Sequence, residues 1–483
     1  MKKRIVRIAA VVVALGGFVG VGSAAPVEVE GGRIEGTRQQ GLAVYKGVPF
    51  AAPPTGALRW REPQAVLPWS GVRRADAFAP ACMQTGSSMP GEPPPRVSED
   101  CLYLNIWTPA RDARQRLPVM VWIHGGGFTN GATALPLYGG DRLARRGVVV
   151  VTIAYRLGPL GFLAHPELTK ESPGHGSGNY GVMDQIAALG WIQRNIAAFG
   201  GDPDRVTIFG QSAGAMSVSL LMASPRAARL FHRAIAQSGG VFEPAQLAPG
   251  YQLANAERDG AAYAASLGAH SLAELRRLPA AALLGGSAAA VSHPVVEPNV
   301  LPESPYDAFA AGHQADVPIL VGSNADEARS LVDLSRVKAS SFAEDLSRAW
   351  GPLPPPLLAA YPFTTDAEAR KARADLERDL RFGWDMWAWA RLQAGDRRQR
   401  ALLRRADRDP RRAGAAGAPG VRWRLRRGPR CAVQAGGSKP AVARAPGPGP
   451  RYLRAWHSGS PSACRRRWSR RARRWPAVAT STG

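Results

Sequence analysis

The sequence predicts an α/β protein with a mostly parallel central sheet and flanking helices. Three observations carry that prediction. Short apolar runs rich in β-formers recur at 119–123 (VMVWI) and 148–154 (VVVVTIA), as strands buried on both faces require. Segments of helical period alternate with such runs. Glycine-rich turns stand directly after strand runs, where this architecture places its chemistry.

The first 25 residues form a unit of their own. Lys2, Lys3, Arg4 and Arg7 precede an apolar, small-residue stretch at 8–21, and Gly22-Ser23-Ala24-Ala25 supplies small residues for cleavage. This is the pattern of a signal peptide over 1–25, and it predicts a secreted or periplasmic protein. The apolar stretch falls short of the roughly 20 residues of a membrane-spanning helix, so no stable membrane span is expected. Export implies an oxidising compartment. There Cys82 and Cys101, 19 residues apart, could close a loop worth about 3 kcal/mol. Cys431 and Cys464 receive no role.

The body, 26–395, follows in order. After the two apolar runs, Val182, Ile186, Leu189, Ile192 and Ile196 fall on one face of a helix. Gly200-Gly201-Asp202-Pro203 ends it. A strand at 206–209, a turn at Ser212 and a helix at 216–222 come next. Strands are expected at 234–236 and 318–321. The Ala/Leu-rich stretch from about 250 to 290 reads as helix, covering the sheet or capping it.

At Asp396 the pattern stops. The chain carries a net charge of +25, but residues 396–483 hold 24 Lys and Arg against three acids, leaving the body at only +4. That tail contains no Ile, Phe or Glu. It shows no strand period and no sustained apolar face, and disorder is expected of it. An altered reading frame near Gly395 in a GC-rich gene would produce this Arg/Ala/Gly/Pro composition. The rival reading is a genuine basic tail. The whole-chain pI near 11 therefore argues for nucleic-acid or anionic-membrane binding by the tail alone, and no nucleic-acid partner is expected for the body.

Three motifs carry chemistry. Gly210-Gln211-Ser212-Ala213-Gly214 lies between a strand and a helix, the context of a nucleophile elbow. His124-Gly125-Gly126-Gly127-Phe128 follows the strand ending at Ile123. Its bare glycines leave backbone N–H groups unshielded, as an oxyanion hole needs. His124 itself is read as structural. A phosphate loop is excluded because no lysine follows the glycines. Gly322-Ser323-Asn324-Ala325-Asp326-Glu327 offers a carboxylate at a strand's C-terminal edge, where it can orient a histidine.

Together with Tyr45-Lys46-Gly47-Val48-Pro49-Phe50, Ser98-Glu99-Asp100-Cys101-Leu102-Tyr103-Leu104-Asn105 and Phe199-Gly200-Gly201-Asp202-Pro203, these motifs make the chain resemble the type-B carboxylesterases, the group of para-nitrobenzyl esterases and cholinesterases. The resemblance runs from about Val27 to about Ala394. It implies an α/β-hydrolase fold, here lacking its C-terminal part. It implies a carboxylic ester hydrolase working through an acyl-enzyme on a small-molecule ester, with no cofactor and no metal. It makes Ser212 the nucleophile and Glu327, rather than Asp326, the triad acid. Gly126, Gly127 and Ala213 become the oxyanion hole, and Cys82–Cys101 the first disulfide.

The chain departs from that family at the histidine, expected roughly a hundred residues after the acid in a His-Gly-x-Glu/Asp setting. Of eight histidines only His457 follows Glu327, in Trp456-His457-Ser458-Gly459 within the basic tail. Without a base Ser212 is a weak nucleophile near neutral pH, so this form of the chain is expected to be impaired or inactive. The alternative is a non-catalytic, esterase-like binding protein, against which the intact Ser212 and triple glycine argue. A choline ester is disfavoured, because no tryptophan lies between Cys82 and Cys101. Oligomeric state is not legible.

Overall fold

A computed structural model describes residues 22–395 except 87–92, 244–247, 328 and 330. The expected leader up to residue 21, the basic tail 396–483 and His457 lie outside the described residues. The described residues divide into two compact units, 22–332 with 377–395, and 333–376.

Nine strands of the first unit form one sheet. In chain order they are β1 (Gly22–Ser23), β2 (Thr37–Gln39), β3 (Leu42–Pro49), β4 (Tyr103–Thr108), β5 (Leu117–Ile123), β6 (Val149–Ile153), β7 (Gly201–Gln211), β8 (Arg233–Gln237) and β9 (Ile319–Gly322). Their spatial order is β1-β2-β3-β4-β6-β5-β7-β8-β9. The five strands β6-β5-β7-β8-β9 run parallel, with neighbours Val121↔Val151, Val121↔Ile208, Ile208↔Ala234 and Ala234↔Ile319. These are the strands legible as apolar runs, and every residue of β6 is buried. Strands β1 to β4 add antiparallel pairs on the other side. The first two are only two and three residues long, and polar residues such as Lys46 in β3 and Asn105 in β4 interrupt the apolar runs of the others.

Helices cover the sheet. Helix α1 (Tyr180–Asn195) buries Val182, Leu189 and Ile192 of the expected face. Gly200, at φ 75°, ends the helical turn that follows. The next residues are not a loop: β7 begins at Gly201 and buries Asp202, which pairs with Arg116 at 2.6 Å. Helix α2 (Ala213–Ala223) starts three residues before the expected 216–222 and is buried almost throughout. The stretch from 250 to 290 holds helices Leu253–Ser266 and Leu272–Arg277 and otherwise short turns. Farther on, the helix Trp384–Gln393 packs Trp389 on Phe242, ring centres 5.1 Å apart.

Two features lie at the ends. Gly22–Ser23, inside the expected leader, pairs with Thr37 and Arg38, and the Ala24 N–H donates to Gly36 at 3.0 Å. Cleavage after Ala25 would remove that outermost pair. The second unit, by itself, contains the amphipathic helix Phe342–Trp350, which buries Phe342 and Leu346. Phe342 meets Phe363 at 4.3 Å. Among the described residues no helix is long and apolar enough to cross a membrane.

Candidate active site

The parallel register brings the three motifs to one edge of the sheet. Ile123 lies beside Gly210, Gly210 beside Ala236, Gln211 beside Gln237, and Gln237 beside Gly322. The chain therefore leaves β5, β7, β8 and β9 at nearly one level. The glycine turn, Ser212, Ser238 and the Glu327 loop all follow from those exits. In open α/β sheets ligands bind in the crevice outside the C-terminal ends of the parallel strands.

Ser212 occupies φ 55°, ψ −126°, between the end of β7 and the first residue of α2. That is a backbone region a side chain rarely adopts, at a cost of order 1–3 kcal/mol. Tight neighbours hold it there. A Cβ on Gly210 would sit 2.4 Å from the Gly214 carbonyl, and one on Gly214 would sit 2.1 Å from the Ile123 oxygen. A Cβ on Gly239 would sit 2.5 Å from the Ser212 oxygen. The Ser212 N–H donates to the Gln237 carbonyl at 2.9 Å, tying the turn to β8. Both glycines of the motif are thus sites of close backbone approach.

The glycine turn faces this serine. A Cβ on Gly125 would lie 3.1 Å from the Ser212 Cβ. Gly126 (φ 113°) and Gly127 (φ 60°) are left-handed, and the Gly126 carbonyl accepts from the N–H groups of Thr129 (3.1 Å) and Asn130 (2.9 Å). Among the hydrogen bonds of the described residues, none uses the N–H of Gly126, Gly127 or Ala213. Ala213 stands at the N-terminus of α2, whose first N–H groups have no partner within the helix and carry partial positive charge.

His124 is enclosed beneath the glycine turn. It is 1% exposed, its Nδ1 lies 2.9 Å from the Gly125 oxygen, and its ring stacks on Tyr155 at 4.5 Å. Burial lowers its pKa to about 4. The Tyr155 hydroxyl donates to the His124 carbonyl at 2.9 Å.

Glu327 and Asp326 separate cleanly. Asp326 is exposed and pairs with Arg329 at 3.2 Å. Glu327 is turned inward. Its Oε1 accepts from the Ser238 hydroxyl, and from the N–H and side-chain amide of Asn324 at 3.1 and 2.9 Å. Ser238 is the residue that sequence reasoning missed. It is buried, sits at φ 52°, and its N–H donates to Gly322 at 2.8 Å. One turn, 237–239, thus touches both Ser212 and Glu327. The signal in the sequence was Ser238-Gly239-Gly240 directly after a strand, the same pattern as the other two motifs.

No hydrogen bond among the described residues joins any of the seven described histidines to Ser212 or Glu327. His165 caps a helix, accepting from the Glu167 N–H, His232 accepts from the Val206 N–H, and His313 pairs with Glu303. Cys82 and Cys101 are joined in a disulfide. No group of three or more metal-ligating side chains occurs among the described residues. Near the site, the carboxyl of Asp385 is raised well above its ordinary range by burial, although it accepts from the Phe242 N–H at 3.0 Å.

A model of the carboxylesterase family matches residues 23–350. The chain is 42% identical over 365 residues to a fumonisin B1 esterase of Sphingopyxis macrogoltabida, covering 73% of this chain and 66% of that protein. It is 40% identical over 317 residues to the para-nitrobenzyl esterase of Bacillus subtilis, covering 62% of each. The structure of a Geobacillus stearothermophilus carboxylesterase superposes with a TM-score of 0.66 at 36% identity, covering 77% of both chains. The chain spans less than two thirds of the length of the curated relatives it matches.

Proposed function

The chain belongs to the carboxylesterase family, and on that premise we propose that it is built to hydrolyse carboxylic esters of small molecules through an acyl-enzyme. Ser212 is the attacking group. Gly126, Gly127 and Ala213 donate to the oxygen on which charge develops, a role in which each donor is worth about 2.7–4 kcal/mol. Glu327, held by Ser238 and Asn324, is the carboxylate that orients the base. The observation that carries this reading is the strained Ser212 backbone at the level of the unused Gly126, Gly127 and Ala213 N–H groups. Backbone strain of this kind, imposed by its tightly packed surroundings, clusters at active sites.

The base is the open element. His457 is the one histidine after Glu327, and without a working base only a residual rate enhancement of about 10³–10⁴ over water survives. A signal peptide over 1–25 and export to an oxidising compartment agree with the Cys82–Cys101 disulfide. We further propose that 396–483 is a frame-altered segment replacing a C-terminus that carried the histidine.

The test is hydrolysis of p-nitrophenyl butyrate by the purified chain, by Ser212→Ala and His457→Ala, and by a chain whose frame is restored near Gly395. Turnover lost in Ser212→Ala supports the serine mechanism, and loss in His457→Ala as well makes the tail its source of base. Turnover confined to the restored chain makes the present chain an esterase body without its histidine. Turnover that survives Ser212→Ala sinks the assignment.

A further inference from the structure

We propose that Gln84 is a positioning residue for the oxyanion turn, acting on it from the disulfide loop. Its catalytic consequence rests on the ester-hydrolase reading above. The clamp itself is a matter of geometry. Gln84 lies two residues beyond Cys82 and is buried. Its Oε1 accepts from the Gly131 N–H at 2.9 Å, and its Nε2 donates to the Gly131 carbonyl at 2.7 Å. One side-chain amide thus satisfies both backbone groups of a single residue, as a neighbouring strand would. The same Nε2 donates to the Cys82 carbonyl at 3.0 Å, so the amide is itself fixed to the disulfide. Next along the chain, the Asn130 side-chain amide in its hydrogen-bonded orientation donates to the Thr85 carbonyl at 2.8 Å. Two successive residues of the disulfide loop therefore grip two successive residues of the glycine turn.

The turn needs such a grip. Gly126, Gly127, Phe128 and Gly131 all have positive φ, from 60° to 131°. Three of the four are glycines, which lose more conformational freedom on folding than other residues and impose no conformation of their own. Gly131 also has no room for a side chain, because a Cβ there would lie 2.1 Å from the Nδ1 of His124. Its backbone is consequently the handle by which Gly131 itself can be held, and Gln84 occupies both ends of it. Releasing it lets the Gly126 and Gly127 N–H groups move relative to Ser212. Oxyanion donors act only within a few tenths of an ångström of the right distance, so the loss falls on the chemical step rather than on substrate affinity.

The experiment compares the full chain with Gln84→Glu and Gln84→Ala by amide hydrogen exchange and by p-nitrophenyl butyrate kinetics. Gln84→Glu keeps the shape and one acceptor but turns a carboxylate oxygen toward the Gly131 and Cys82 carbonyls. In both variants, exchange across 126–131 should speed up at least about tenfold, with exchange across the β6 segment unchanged. Where the parent chain turns over, kcat should fall about tenfold to a hundredfold with KM held within about twofold. Unchanged exchange across 126–131 in both variants overturns the clamp. Exchange that rises equally in β6 overturns it too, since Gln84 would then be a general stability residue. Faster exchange with unchanged kcat overturns the positioning role. Exchange is read without turnover, so a parent chain with no Ser212-dependent activity counts against the esterase reading, while the exchange result still decides the clamp.

Discussion

Gly214→Ala tests how the Ser212 turn is built. The added methyl would lie 2.1 Å from the Ile123 carbonyl oxygen and 2.9 Å from its carbon. A carbon and a carbonyl oxygen come no closer than about 3.3 Å, so helix α2 and strand β5 must part by about 1.2 Å. Neither can yield locally. Ile123 is wholly buried in mid-sheet, and α2 is buried along most of its length. Forcing a methyl into such packing costs about 1–3 kcal/mol, and a shift of about 1 Å at a reacting group costs about a hundredfold in rate. Gly127→Ala is the control. Its Cβ would meet only the Thr129 Oγ1, at 3.9 Å, so its penalty is the positive φ alone, about 1–2 kcal/mol. Urea unfolding and p-nitrophenyl butyrate turnover of both variants form the assay. Gly214→Ala is expected to lose more stability than Gly127→Ala and at least about tenfold more activity. A Gly214→Ala protein as stable and as active as its parent would refute the claim that close backbone approach, rather than mere flexibility, dictates the glycine.

Two further outcomes follow from particular groups. The buried His124 has a pKa of about 4 against 6.5 in the unfolded chain. The unfolded state therefore takes up a proton first as pH falls. Stability is unaffected above pH 6.5 and declines by about 3 kcal/mol toward pH 4. NMR titration of the imidazole checks this, and a midpoint at or above 6 would contradict it. Cys82→Ser with Cys101→Ser should lower unfolding stability by about 3 kcal/mol, the entropy of the loop it opens. The same change should quicken exchange across 126–131, since Gln84 is fixed to the Cys82 carbonyl. An undiminished unfolding midpoint in the double variant would remove the disulfide from the account.

Fold and site were legible to different degrees. The five parallel strands could be read because burial on both faces leaves continuous apolar runs such as 149–153. Strands β1 to β4 escaped because they are short or have their apolar runs broken by residues such as Lys46 and Asn105, and their antiparallel partners, such as Val44 with Trp107, are far apart in the chain. Ser212 and the triple glycine were legible because each stands directly after a strand, and Glu327 through the family resemblance. Ser238 carried only the weak signal of a Ser-Gly-Gly after a strand, and Gln84 none, since a glutamine announces nothing until its partner Gly131 is known to be within reach.

The sequence by itself therefore determined the α/β architecture, the family, and the residue types at the C-terminal ends of β5, β7 and β9. These follow from local rules: the period of burial, and the need for bare glycines where backbones meet. Only the tertiary structure decided that Glu327 and not Asp326 faces inward, that His124 stacks on Tyr155 as a neutral ring, and that the disulfide loop holds the oxyanion turn. Those are contacts between residues dozens of positions apart, and they exist because parallel register brings four strand ends to one level.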